Sequence, residues 1–305
     1  MVAVIRSCRP QDSDIGPEAC TNKTGCGEFA LTHARPLILL TNDDGIHSPG
    51  LLAVAEAVCD LGDLLMVAPA TQQTGMGRGS PPMVKGKIRR SDVTVGCQAM
   101  PAYALTGSPA QTVLYGVLAL APHTYGRRPD LVISGINYGE NLGTCVTGSG
   151  TVGAALQAAD MGIPGLAVSL ETDKAYHLHH GQDLNWSAAA AITRHFAGIM
   201  LTAQLPFDVD VLKIDVPSDA TPETGWRITR QSRQSYYHDY APADFSPEGD
   251  LARLDYGIHV QWETLEPESD IHAFAVDRLI SVTPLSHDLT SRTDFAALDR
   301  LLRDD

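Results

Sequence analysis

Directly after the apolar run Leu37-Ile38-Leu39-Leu40, the chain reads Thr41-Asn42-Asp43-Asp44-Gly45, which sets two carboxylates side by side. Adjacent carboxylates repel each other unless protons or a cation neutralise them. Oxygen-only ligands of this kind suit Mg²⁺ or Mn²⁺. Asp-Gly is also a turn signal and Asp a good helix N-cap, so the motif alone reads as a turn. Its position shifts the balance, because open α/β sheets bind ligands at the carboxyl ends of their parallel strands.

Four other segments carry groups that suit the same chemistry. Ser134-Gly135-Ile136-Asn137 again ends a strand-like run, and Asn137 offers a neutral carbonyl oxygen that could join a metal shell. The plainer reading is an Asn satisfying loop backbone. Gly148-Ser149-Gly150-Thr151-Val152-Gly153 opens a helix; glycines let backbone approach a ligand, and free N–H groups with hydroxyls bind oxyanions. It lacks the Walker A spacing and Lys, and a plain capped helix with small residues for close packing remains the alternative. Gly107-Ser108-Pro109 is a comparable helix start, with Ser108 as N-cap and Pro109 at the first position. In Pro69–Gly75, Thr74 could bring a hydroxyl oxygen towards the cation, although the segment by itself says only loop. Asn42, inside the first motif, joins Ser108, Ser149, Gly150 and Thr151 as a candidate phosphate- or substrate-facing residue.

Weaker signals are set aside. His177, His179 and His180, flanked by Asp173, Lys174 and Gln182, read as a solvated loop. Gly139–Gly143 is a poor dinucleotide fingerprint, and Arg227–Tyr240 suits a sheet surface or subunit contact at least as well as base stacking. Nothing resembles a nucleophile elbow.

Short apolar runs alternate with helical stretches through most of the chain. Strands are expected at 37–40, 63–68, 130–134, 165–170 and 209–216, with helices at 50–59, 108–120, 149–161 and 187–201. That alternation predicts an α/β fold, a Rossmann-like, mostly parallel sheet with helices on both faces. Residues 83–104 look extended and 135–148 look like loop. From about 218 the pattern changes to strand-like runs at 226–231, 257–262 and 279–283 and a last helix at 293–302, a C-terminal β-hairpin and helix extension. The expected organisation is a poorly ordered extension over 1–35, a core over 36–217 that carries the site, and the C-terminal extension over 218–305.

Composition narrows the partners. With 22 basic and 36 acidic side chains the formal charge is −14, which repels polynucleotides and anionic membranes at long range. A small phosphate ester remains possible if a bound cation and helix N-termini supply local positive potential. The six cysteines, at 8, 20, 26, 59, 97 and 145, have no Cys-x-x-Cys pair and read as reduced thiols. No membrane-spanning run and no secretory leader are discernible, so the expected setting is cytoplasmic.

Taken in order, LILLTNDDGIHSPGL, VAPATQQTG, TGSPAQTV, DLVISGINYGENLG, SGTVGAALQAA, GIPGLAVSL, GWRITRQSR and ISVTPL resemble the SurE family of survival-protein nucleotidases. The resemblance runs from Pro36 to about Asp288. It implies a metal-dependent phosphatase that hydrolyses nucleoside 5′- and 3′-monophosphates, with one divalent cation (Mg²⁺ or Mn²⁺) per subunit, assembled as a homodimer or homotetramer. It places metal ligands at Asp43, Asp44, Thr74 and Asn137, catalytic roles at Asp43 and Asp44, and the phosphate-facing turn at Ser149, Gly150 and Thr151. Two departures stand out: Thr74 occupies a position usually filled by Ser, and Gln111-Thr112 stands where a carboxylate-containing pair is usual. They motivate the rival reading, a catalytically inactive nucleotide-binding regulator on the same fold.

Overall fold

Five consecutive residues without any exposed surface form the central strand, β1 (Leu37–Thr41). Such a strand must be covered on both faces, and its alternating side chains do this. Ile38 and Leu40 enter one core layer with Leu51, Val54, Val58, Ile133 and Phe196, whereas Leu37 and Leu39 enter another with Val67, Val113, Val117, Ala154 and Ala158. The structure, a computed structural model, describes residues 35–82, 86–96, 98–177, 183–242, 246, 248 and 254–303. The extension expected over 1–35 therefore lies outside the described residues except for Arg35.

After β1 come α1 (Pro49–Val58), β2 (Asp63–Pro69), β3 (Ile88–Val95) and β4 (Gln98–Leu105). A helical run follows: α2 (Pro109–Tyr115), a π turn at Gly116–Leu120, and α3 (Ala121–Tyr125). Next are β5 (Leu131–Tyr138), α4 (Gly150–Asp160), β6 (Gly165–Leu170), α5 (Ser187–Thr202) and β7 (Val211–Val216). The last part holds β8 (Trp226–Ile228), β9 (Tyr237–Tyr240), β10 (Asp255–Ile258), β11 (Ile280–Leu285) and α6 (Phe295–Arg303).

Nine strands form one sheet in the order β3-β4-β2-β1-β5-β6-β7-β11-β8. From β4 to β7 every neighbour is parallel; β3 and β11 join antiparallel. The fold is thus α/β with a mostly parallel sheet and helices on both faces. The chain steps from β1 outward to β2 on one side, and β5 then begins the other half next to β1. That reversal opens a crevice at the carboxyl ends of β1 and β5, the place where open α/β sheets take ligands.

Two local differences from the sequence reading bear on the site. Residues 135–138, expected as loop, continue β5, because they keep pairing with β6 after a register shift between Ser134 and Asn137. An extra residue of this kind re-aims the side chain that follows it. In the C-terminal part, β8 and β11 extend the main sheet, and the separate hairpin is β9 with β10. β9 was not anticipated, since Tyr237–Tyr240 carries two aromatic and two polar side chains without clear alternation. Of the expected thiols, Cys59 and Cys145 are free, and the other four lie outside the described residues. Among the described residues no helix is long and apolar enough to cross a membrane.

The layered core makes a direct prediction. Leu39→Ala should lower unfolding free energy by about 2–5 kcal/mol, measured by urea titration. Leu302→Ala, on the exposed face of α6, should change it by less than about 0.5 kcal/mol. Equal costs would contradict the assignment of Leu39 to the core.

Candidate active site

The crevice begins where β1 stops. Asn42 folds its side chain back on Gly45, accepting the Gly45 N–H at 3.0 Å and donating to the Gly45 carbonyl at 3.1 Å. Both ends of this amide are therefore used in closing the turn, and Asn42 shapes the loop. Thr41, one residue earlier, pairs its hydroxyl with that of Thr112 on α2 at 2.8 Å. Between these anchors Asp43 and Asp44 are almost fully buried, at 3% and 2% exposure.

Asp43 faces the start of α4. Thr151 donates its hydroxyl to Asp43 Oδ1 at 2.5 Å, and Gly150 lies directly against the carboxylate. A Cβ at position 150 would come within 2.7 Å of Asp43 Oδ2, so only glycine lets the helix start this close to the acid. Ser149 caps α4 by accepting the Val152 N–H at 3.1 Å. The Gln73 N–H donates to the Asp43 carbonyl at 2.7 Å, which pins the 70–79 loop one residue before Thr74. Thr74 itself is exposed.

Asp44 faces the opposite wall. Its Oδ1 accepts from Gln72 Nε2 at 3.2 Å and its Oδ2 from the Tyr138 N–H at 3.4 Å. Asn137 precedes Tyr138 on the re-aimed end of β5, and it donates its amide nitrogen to the Gly139 carbonyl at 2.6 Å. That leaves the acceptor end of Asn137, its carbonyl oxygen, for a cation. The structure thus gathers Asp43, Asp44, Asn137 and the Ser149–Thr151 turn at the end of β1 and β5.

Ser108 has a different task. Its hydroxyl donates to the Gly79 carbonyl and accepts the Gln111 N–H, while Gln111 returns its side chain to the Ser108 N–H at 3.0 Å. Gln111 also reaches the Pro81 carbonyl at 2.6 Å. This reciprocal capping box accounts for Gln111 without any carboxylate, and the Ser-x-x-Gln spacing that signals it is legible in the sequence.

Burial dominates the electrostatics. The Asp43 carboxyl is pushed up to about 6 by desolvation, partly offset by the Thr151 hydrogen bond. Asp44 is raised well above the usual carboxylate range, first by burial and then by the charge of Asp43. The hydroxyl and amide partners described above are neutral. Two carboxylates with an amide oxygen and hydroxyls form a hard, all-oxygen donor set that suits Mg²⁺ or Mn²⁺, which keep several waters. Among the described residues there is no cluster of three or more His, Cys, Asp or Glu that could hold a metal ion. Among the described residues, a cation at this site would therefore take two charged ligands, Asp43 and Asp44.

Three contributors escaped the sequence reading. Gln72 bridges Asp44 to the His177 carbonyl at 2.7 Å. Its only advance signal is a polar side chain in the loop after β2. His177, expected on a solvated loop, is buried, because its ring packs on Gly139 and lies near parallel to that of Tyr256. His179 and His180 lie outside the described residues. Glu140 is buried as well, accepts from the Tyr237 hydroxyl, and is pushed up to about 7 by desolvation.

Comparisons with known proteins identify the family and the fold. The family model for survival protein SurE matches residues 38–238. A protein of Thermococcus gammatolerans named 5′-nucleotidase SurE is 40% identical over 265 residues, covering 87% of this chain and 95% of the relative. A protein of the same name from Archaeoglobus fulgidus is 39% identical, covering 85% and 94%. The crystal structure of the SurE protein from Aquifex aeolicus superposes with a TM-score of 0.67 at 29% identity, covering 88% of this chain and all of that one. With the family model spanning most of the chain and relatives matched nearly end to end, the chain belongs to the SurE family.

Proposed function

We propose that the protein is a metal-dependent nucleotidase that hydrolyses nucleoside 5′- and 3′-monophosphates to nucleoside and inorganic phosphate. The observation that carries this reading is the buried Asp43–Asp44 pair at the sheet's switch point, with Thr151 of an oxyanion-suited helix start bonded to Asp43 at 2.5 Å. The relatives named 5′-nucleotidase SurE support the substrate class. One Mg²⁺ or Mn²⁺ per subunit, a homodimer or homotetramer, and a cytoplasmic setting belong to the same reading, and short polyphosphate is a further candidate substrate.

In this reading Asp43, Asp44, the Asn137 carbonyl oxygen and the Thr74 hydroxyl hold the cation. When bound, it supplies Lewis acidity towards phosphate oxygens and makes nearby water more acidic. The N–H groups at the start of α4, with the hydroxyl of Ser149, face the remaining phosphate oxygens and stabilise charge developing there, while Thr151 ties that turn to Asp43. Asp44 orients the attacking water and accepts its proton, with Gln72 and the Tyr138 N–H holding the carboxylate in place. Ser108 contributes indirectly through its grip on the Gly79 loop. The rival reading of an inactive regulator drew on the Gln111 and Thr74 departures; the capping box gives that glutamine a structural reason, and phosphate release from nucleotides separates the two readings.

Two sets of outcomes are expected, and the first concerns activity. Phosphate release from a panel of nucleoside monophosphates should need Mn²⁺ or Mg²⁺ and stop with EDTA, and Asp44→Asn should lower kcat by about 10²–10³-fold. Release unaffected by chelator, or near-normal turnover in Asp44→Asn, would overturn the mechanism. The second concerns stability. Asp43 has a folded value of about 6 against an ordinary 3.8, so its protonated form favours the folded state. That contribution is fully present below the ordinary value and is lost as pH rises through about 6, a swing of roughly 3 kcal/mol for the shift. Metal-free protein should therefore melt lower at pH 7.5 than at pH 5, and Mn²⁺ should restore the loss mainly above pH 6. A metal-free melting temperature that rises over this interval would contradict the raised carboxyl.

A further inference from the structure

A second buried charge cluster lies behind the site. Lys213 and Asp215 on β7 and Asp270 before β11 are fully buried, and the Lys213 ammonium contacts Asp215 Oδ2 and, at 3.1 Å, Asp270 Oδ2. The carboxylate oxygens of these acids also accept from backbone. Asp215 Oδ1 accepts the Asn141 N–H at 2.7 Å, and Asp270 Oδ2 accepts the Gly143 N–H at 3.0 Å. Asp270 Oδ1 accepts the N–H groups of Ser232 and Ile271, each at 2.9 Å.

Asn141 and Gly143 belong to the segment that joins Asn137 to the Ser149–Thr151 turn. Its other fastenings come from the same direction. Asn141 Nδ2 donates to Ser169 Oγ at 2.8 Å, and the Thr144 N–H donates to the Gln234 carbonyl at 2.9 Å. Gly143 has φ +55°, and a Cβ there would stand 2.2 Å from the Gln234 carbonyl oxygen, so the two backbones are pressed together. The GWRITRQSR motif, to which no role has yet been given, ends at Arg233 beside this seam.

Burying three ionised groups is a poor way to gain stability, because desolvation cancels most of the attraction and well-packed apolar residues often do as well. Charge-assisted hydrogen bonds are, however, stronger and more directional than neutral ones. We propose that Lys213, Asp215 and Asp270 form a positioning clamp that fixes the Asn141–Thr144 segment, and through it the phosphate-facing Ser149–Thr151 turn, against the 232–234 segment of the C-terminal part. The residues touch no substrate. They act through two backbone amides, and the inference rests on the nucleotidase reading only for what the turn binds.

Two variants test it in the full chain. Asp270→Asn and Asp215→Asn each leave a one-to-one pair of Lys213 with the remaining acid, so both are expected to fold. The probes are inorganic phosphate binding by calorimetry, hydrogen exchange over residues 139–151, and the Mn²⁺-induced rise in melting temperature. The clamp predicts phosphate binding weaker by about tenfold or more and faster exchange over 139–151, with the Mn²⁺ response kept. In active preparations KM for the phosphate ester should rise more than kcat falls. Wild-type phosphate affinity and exchange in both variants would overturn the proposal, as would a parallel loss of phosphate binding, Mn²⁺ response and overall melting temperature. A wild-type protein that binds phosphate but releases none from nucleotides would sink the nucleotidase reading while leaving this comparison intact.

Discussion

Two carboxylates on neighbouring residues, both buried, set the central constraint on this molecule. In water such a pair is unremarkable; at the end of β1 the lost hydration and the mutual repulsion both penalise the charged state. Burial pushes Asp43 up to about 6, and burial with the charge of Asp43 raises Asp44 well above the usual carboxylate range. A fold that keeps this arrangement holds a free-energy cost that a cation can remove. The surrounding structure is arranged to preserve the pair: Asn42 closes the turn beneath it, Gly150 lets a helix start abut it, and Gln72 and Tyr138 hold Asp44 from the other side.

The same constraint resolves an apparent conflict in the composition. A chain with a formal charge of −14 should repel a phosphate ester. Long-range repulsion between exposed charges is screened within about a Debye length, roughly 8–10 Å in salt. Inside the crevice, oriented N–H groups at the start of α4 and a bound cation set the local potential. The net charge then disfavours long anions such as polynucleotides more than a single small ester.

Much of the fold was legible because its strands are short, apolar and fully buried. Leu37–Leu40, Asp63–Ala68 and Gly165–Leu170 carry the signal of a central parallel sheet, and each appears within one residue of the expected bounds. The paired aspartates and the Ser149 turn could be singled out as candidates for the same reason, since the one directly follows a strand and the other opens a helix. What stayed hidden depends on partners far away in the chain. Asn137 and Tyr138 look like loop residues until β6 pairs with them beyond the register shift. Lys213 and Asp215 look like the exposed face of a half-polar strand until Asp270, more than fifty residues later, meets them. Gln72 and His177 are ordinary polar residues whose importance comes only from where β2 and β6 deliver their loops.

The most direct test of the account is the number of protons released when Mn²⁺ binds. Calorimetry at pH 6 in buffers of differing ionisation enthalpy measures it. If the cation neutralises a carboxylate pair that burial keeps partly protonated, binding should expel about one proton or more per site, fewer as pH rises, and Asp43→Asn should abolish the tight site. Tight Mn²⁺ binding without proton release, or binding indifferent to Asp43→Asn, would contradict it.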